Sequence, residues 1–407
     1  MEGEVTVHGA KNSALPILAA CLLSGGECTL HNCPRLSDVD ATLKILRHLG
    51  CRVKREGGTV IVHAQSVTGK EIPDTLMREM RSSIVFLGAI LARMGEARLS
   101  FPGGCELGPR PIDLHLAALK KLGVQIREDH GCLHCSAKHG LRGKRIHLAF
   151  PSVGATENVM LAAVLAKGTT ILTNAACEPE ICDLADFLNA CGAKIQGAGD
   201  STISIQGVSR LHGCEHTIIP DRIVAATLLS AAAVTHSRVL LRRVEPVHLE
   251  SILSVFEEAG CQFRCEGKEL EILPPAILQA VKHVRTMPYP GFPTDAQAPV
   301  MPVACLAKGT SVFVENIFEN RYKHVGELVR LGASIKVEGR VAVVEGVSRL
   351  SGTAVQAADL RGGAALTVAG LAAEGITQVW GVNYIDRGYE SLEGMLHALG
   401  ANITRIS

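Results

Sequence analysis

The segment Pro102-Gly103-Gly104-Cys105-Glu106-Leu107-Gly108-Pro109-Arg110-Pro111 concentrates more chemistry than any other stretch of this chain. Two glycines open backbone conformations closed to other residues. A thiol follows them, then a guanidinium, and Ile112-Asp113-Leu114-His115 begins an amphipathic helix. A thiol on a loop beside fixed positive charge can be acidified into a reactive group. Arginine is a ready fork for phosphate or carboxylate. The plain alternative is a surface turn with a chance cysteine, and spacing alone leaves both readings open.

Further polar groups stand where Ala/Leu-rich helices begin: Lys11-Asn12, Arg81-Ser82-Ser83, Ser152, Asp221-Arg222, Thr294-Asp295 and Asp359-Leu360-Arg361. Ser152, Asp221 and Asp359 read well as ordinary helix caps. Lys11, Arg81 and Arg361 do not, because a cation at a helix N-terminus is unfavourable unless an anion sits there. Several such starts facing one cleft would make an anion trap.

These starts belong to an internal repeat. They fall at Lys11, Arg81, Ser152, Asp221, Asp295 and Asp359, spaced 70, 71, 69, 74 and 64 residues apart. A β-rich segment follows each helix (Cys28-Thr29-Leu30 in the first copy, Thr170-Ile171-Leu172 in the third). A second, amphipathic helix then stops at Gly50, Gly123, Gly192, Gly260, Gly332 or Gly400. Glycine there makes a left-handed helix terminus cheap. One or two short strands close the unit, which reads βαβαββ. The first helices are apolar all round and should be buried; the second carry charge on one face. Six units predict an α/β protein of two similar three-repeat globes with helices inside and sheets outside. The expected domains are 11–219, carrying the Cys105 loop, and 1–10 with 220–407.

Composition narrows the function. The chain has 407 residues, 47% hydrophobic but only 3% aromatic, so its core must be built from Ala, Leu, Val and Ile. A net charge of +1 with scattered basic residues argues against a protein held to nucleic acid by phosphate contacts. The start carries Glu2 and Glu4 and does not read as a signal peptide, and apolar runs such as 225–234 are too short to span a bilayer. The 14 cysteines therefore read as reduced, cytoplasmic and mostly core-filling. Cys132-Leu133-His134-Cys135 has CxxC spacing, but in a strand its ends face opposite ways, and no second CxxC completes a metal site.

Together, Gly9-Ala10-Lys11-Asn12-Ser13-Ala14-Leu15-Pro16, Met80-Arg81-Ser82-Ser83, the Pro102–His115 segment, Ser152-Val153-Gly154-Ala155-Thr156, Phe292-Pro293-Thr294-Asp295, Phe318-Glu319-Asn320-Arg321, Asp359-Leu360-Arg361 and Asp386-Arg387-Gly388-Tyr389 make the chain resemble the enolpyruvyl transferases over nearly its whole length. The resemblance is to the branch that acts on UDP-N-acetylglucosamine at the first committed step of peptidoglycan synthesis. It implies two inverse α/β prisms with the active site in the cleft between them, and phosphoenolpyruvate and UDP-N-acetylglucosamine as small-molecule partners. No cofactor, metal, nucleic acid or membrane partner is implied.

By the same resemblance, Cys105 is the general acid at the methylene carbon of phosphoenolpyruvate and the thiol alkylated by fosfomycin. Asp295 is the base at the sugar 3-hydroxyl. Lys11, Arg110 and Arg387 surround the phosphate, with Asn12, Arg321 and Arg361 completing the phosphoenolpyruvate site. Arg81, Arg110, Pro111, Ile112, Asp113, Leu114, Ser152, Val153, Asp295 and Ile317 match the region that holds the UDP-sugar. Two departures stand out. Relatives carry a further strand before the segment matching Gly3-Glu4-Val5-Thr6-Val7, so an unpaired sheet edge is expected near the C-terminus. Pro109 before Arg110 should stiffen the loop. The shikimate-pathway branch shares the fold, but the Pro-Gly-Gly-Cys loop and the Arg110–Leu114 segment argue against it. A non-catalytic UDP-sugar-binding paralogue is the alternative from another class.

Overall fold

The computed structural model describes residues 1–100 and 112–406. Cys105, Arg110 and Pro111 lie outside the described residues, as does the side chain of Arg81. The described chain divides into two compact units, one of residues 1–8 and 220–406 and one of the described part of 9–219.

In the unit 9–219, the apolar first helices Lys11–Ala20, Phe86–Met94 and Val153–Ala163 are almost wholly buried. Phe86–Met94 packs against both of the others. Close approach is possible because Gly88 has no side chain: a Cβ there would overlap the backbone oxygen of Asn158. The Asn158 side chain seals the contact, its Oδ1 accepting from Gly88 N at 2.7 Å and its Nδ2 donating to Ile84 O at 3.1 Å. Three four-stranded sheets complete the unit, each with one parallel pair and two antiparallel pairs. The late strand Glu215–Thr217 pairs in parallel with Glu27–His31, which closes the third repeat onto the first.

In the second unit, Arg222–Val234, Thr294–Cys305 and Leu360–Ala372 pack on one another as the helical interior. Strand Gly3–Thr6 joins the sheet of this unit beside Val239–Arg242. All six helix-stop glycines have positive φ, between 85° and 102°, the conformation the repeat predicts for them.

The sixth copy departs from the repeat. The strand expected after Gly400 does not form: residues 401–406 have no regular structure. Instead of a four-stranded sheet there are two parallel two-stranded pairs, Leu350–Ser351 with Ala373–Glu374 and Ala354–Gln356 with Gln378–Trp380. Trp380, within the second pair, and Ile376, just before it, are 60% and 81% exposed. Among the described residues no helix is long and apolar enough to cross a membrane.

The repeat also sets where strands and helices touch. Gly207 and Gly346 follow equivalent strands, Thr202–Gln206 and Val341–Glu345, and a methyl group at either would overlap the backbone oxygen of Ala166 or Ala307. Neither oxygen is on a flexible side chain, so the backbone must give way. Gly346→Ala is expected to destabilise by about 1–3 kcal/mol in a urea melt; an unchanged midpoint would show that this contact is not tight.

Candidate functional site

The clearest assembly of charge lies in the unit built from 1–8 and 220–406. Helix Thr294–Cys305 starts without a side-chain cap, and its first turn carries Asp295. Asp295 Oδ1 accepts from Arg321 Nη2 at 2.9 Å, and Oδ2 from Arg361 Nη2 at 3.1 Å. Both arginine side chains are 2% exposed, against 26% for the aspartate. Arg321 Nη2 also donates to Thr294 O at 3.1 Å, and its guanidinium lies 5.7 Å from the Phe318 ring centroid. Arg361 lies 5.3 Å from the Tyr389 ring centroid, and the Tyr389 hydroxyl is 2.9 Å from Thr227 Oγ1 on the helix Arg222–Val234. Burial disfavours the charged Arg361, but Tyr389, Asp295 and Asp221 outweigh it and raise its pKa, so it stays cationic.

Capping fixes the frame. Asp221 accepts from Ile223 N and Val224 N at 2.8 and 3.1 Å, and Asp359 from Arg361 N and Gly362 N at 3.0 and 2.9 Å. These two acids are caps, as the capping reading expects, and Ser152 caps the same way through Ala155 N at 3.3 Å. The anion that explains Arg361 at a helix start is a protein carboxylate, Asp295. Its N–H capacity is not exhausted: Arg361 Nε and Nη1 and Arg321 Nε are buried without a hydrogen-bond partner among the described atoms. Two guanidiniums against one carboxylate leave an excess of positive charge, with donors unfilled among the described atoms.

Glu315 is the organiser that sequence reasoning missed. It is 1% exposed. Its carboxylate accepts from Thr294 Oγ1 at 3.0 Å and from the N–H groups of Ile317 and Phe318, both at 2.8 Å. One buried acid thus ties the start of the Asp295 helix to the turn that carries Ile317. Its only signal is a carboxylate directly after the apolar strand Thr310–Val314. Arg387 ends the short helical segment Val382–Arg387, half-buried, two residues before Tyr389.

In the unit 9–219, Lys11 is the first residue of its helix and donates to Asp38 Oδ2 at 3.1 Å. Here again a protein carboxylate accounts for the cation at a helix start. Asn12 follows, half-buried. Ser13 donates to Asp183, whose other oxygen is 2.8 Å from His216 Nε2. Asp38 and Asp183 carry no motif and were not candidates. Ile112, Leu114 and Val153 pack half-buried against the core, while Asp113 is exposed. The structure therefore gathers Asp295, Arg321 and Arg361 into direct contact, and it places Lys11, Asn12, Ile112, Asp113, Leu114, Ser152 and Val153 in the other unit.

The chain matches the family model of EPSP synthase (3-phosphoshikimate 1-carboxyvinyltransferase) over residues 1–396, and it belongs to that family of carboxyvinyl transferases. Within the family it is 55% identical to UDP-N-acetylglucosamine 1-carboxyvinyltransferase 2 of Caldanaerobacter subterraneus subsp. tengcongensis, over 99% of this chain and 97% of that one. It is 51% identical to UDP-N-acetylglucosamine 1-carboxyvinyltransferase 1 of Symbiobacterium thermophilum, over 100% of this chain and 93% of that one. Among solved structures it superimposes on the enolpyruvyl transferase NikO of Streptomyces tendae with a TM-score of 0.89 at 26% identity, covering 99% and 95% of the two chains. EPSP synthase of Acinetobacter baumannii shares the fold with a TM-score of 0.74 at 18% identity, covering 98% and 95%. The expected inverse α/β prism fold and membership in the enolpyruvyl transferases stand.

Buried titrating groups give these units a pH signature. Burial lowers His324 from 6.5 to about 4, with Asp359 opposing and Arg321 reinforcing. Burial likewise lowers His115 to about 4, with Asp113 opposing. Burial, then Glu180 and Glu178, raise Glu157 to about 8. Between pH 6.5 and 4 the unfolded chain binds more protons at each histidine, so each contributes stability that is lost as pH falls, about 3 kcal/mol apiece. Glu157 has the opposite sign, losing stability as pH rises from 4.5 to 8. Two histidines outweigh one glutamate between 4.5 and 6.5, so melts across that window should show stability rising with pH, and His324→Asn should flatten the rise. A wild-type profile that is flat or falling there would contradict the burial argument.

Proposed function

We infer that this protein transfers the carboxyvinyl group of phosphoenolpyruvate to the 3-hydroxyl of UDP-N-acetylglucosamine with release of phosphate, the entry step of peptidoglycan synthesis in the cytoplasm. The observation that carries the reading is the Asp295–Arg321–Arg361 cluster, a partly exposed carboxylate held by two buried guanidiniums, with Arg361 Nε and Nη1 and Arg321 Nε unpartnered among the described atoms. Full-length relatives at 55% and 51% identity bearing the name of that activity support the choice of acceptor.

The chemistry accounts for the residue types. Adding an alcohol across an enol phosphate needs a base at the hydroxyl and an acid at the methylene carbon, each contributing about 10²–10⁴-fold. Asp295 takes the base role. When the phosphate and carboxylate of phosphoenolpyruvate engage Arg321 and Arg361, carboxylate lone pairs now occupied by guanidinium N–H groups become free for the sugar hydroxyl. Cys105 supplies the proton to carbon. Phosphate then leaves as a proton is withdrawn from the new methyl group, which restores the carboxyvinyl double bond, and Lys11, Asn12, Arg110 and Arg387 stabilise the departing phosphate, in the manner of fixed cations around developing charge. Arg81, Pro111, Ile112, Asp113, Leu114, Ser152, Val153 and Ile317 contribute to the UDP-sugar side.

Phosphate release from phosphoenolpyruvate is expected with UDP-N-acetylglucosamine and not with 3-phosphoshikimate, and pretreatment with fosfomycin should abolish it. Release with 3-phosphoshikimate alone would assign the other branch of the family, and release with neither from folded protein would favour a binding-only paralogue. Asp295→Asn should lower kcat by about 10²–10⁴-fold with a smaller change in KM. Cys105→Ser should lose most turnover and resist alkylation; turnover at the wild-type rate would remove the thiol from the mechanism.

A further inference from the structure

Four of the cysteines that the proposed reaction does not use converge in the unit 9–219. Cys191 ends the helix Pro179–Ala190, and its thiol lies 3.3 Å from that of Cys214, which precedes the strand Glu215–Thr217. Cys28, on the strand Glu27–His31, lies beside both of them and beside Cys21. Their backbones are already clamped together: His212 N donates to Cys191 O at 2.9 Å, and Thr29 N to Cys214 O at 2.9 Å. Cys21, Cys28 and Cys191 are buried, while Cys214 is half-buried and offers the approach from solvent. Among the described residues no group of His, Cys, Asp or Glu is arranged to hold a metal ion. Thiols in contact can be oxidised to a disulfide.

We propose that Cys191 and Cys214 form a reversible redox pair, oxidised to a disulfide by a peroxide and restored by a dithiol. Peroxide oxygen transfers to the Cys214 sulfur, breaking the O–O bond and leaving a sulfenic acid and one water. The Cys191 sulfur then displaces hydroxide from that sulfenic sulfur, and with the Cys191 proton it leaves as a second water. The two sulfurs together lose the two electrons that the peroxide gains. Little movement is needed, because the two elements to be joined are already linked through Asp183 and His216, on the same helix and strand, 2.8 Å apart. The new bond closes the loop from 191 to 214 and locks the elements whose Asp183 holds Ser13, two residues from Lys11.

The rate has a predicted pH dependence. The Cys191 contact lowers the pKa of Cys214, but Cys28 and burial outweigh it and raise the thiol to about 12. The thiolate is the reacting form, so oxidation should quicken as pH rises from 7 to 9.

Full-length protein treated with hydrogen peroxide and mapped by mass spectrometry without reduction tests the pair. The expected result is a peptide carrying Cys191 joined to one carrying Cys214, released by dithiothreitol. A reversible rise in Tm of about 5 °C should accompany it, from the constraint on the unfolded chain. Cys214→Ser should abolish both, while Cys21→Ser should retain both. Absence of the 191–214 linkage when the exposed Cys265 is fully oxidised would overturn the proposal, as would a linkage of Cys214 to Cys28 in its place.

Discussion

Two guanidiniums buried to 2% exposure cannot remain charged without counter-charge, and Asp295 is what the fold provides to both. Removing an ion from water costs several kcal/mol unless pairing and hydrogen bonds offset it. Much of the surrounding structure serves that pairing. Glu315 fixes the start of the helix that carries Asp295, Asp359 caps the helix that carries Arg361, and Tyr389 and Phe318 offer ring faces to the two guanidiniums. The compensation is incomplete, because three buried nitrogens of these arginines, Arg361 Nε and Nη1 and Arg321 Nε, have no hydrogen-bond partner among the described atoms. Those donors and the excess of positive charge are what the proposed anion site rests on.

The architecture makes such a site possible. Three apolar helices per unit form an interior poor in aromatic residues, and small side chains let those helices approach closely, as at Gly88. Each helix then presents its N-terminal end, with its unfilled N–H groups, at a predictable place in the repeat. Caps satisfy some of these groups, as at Ser152, Asp221 and Asp359. Where the first turn carries a cation, as at Lys11 and Arg361, a carboxylate from another element meets it. The same six-fold pattern serves stability at some positions and charge at others.

The repeat, the buried first helices and the glycine stops were legible because each rests on local rules: apolar periodicity, capping and left-handed backbone. Asp295, Arg321 and Arg361 were legible as candidates through family motifs, but their contact joins residues up to 66 positions apart, which no local rule contains. Glu315, Asp38 and Asp183 were invisible for a related reason. Each is a lone acid whose role appears only when a distant donor is brought to it. The two two-stranded pairs of the sixth copy were not legible, because nothing in its residues marks a departure from the four-stranded sheets of the other copies. The thiol cluster escaped because its sulfurs come from elements of no shared motif.

The central claim is that the Arg321–Asp295–Arg361 arrangement is an anion site of fixed geometry. Calorimetric titration of phosphoenolpyruvate, in the presence of UDP-N-acetylglucosamine, into wild-type and Arg361→Lys protein tests it most directly. Lysine keeps the charge but gives up the planar fork. The account predicts at least about a tenfold loss of affinity. Equal affinity in the two proteins would contradict it.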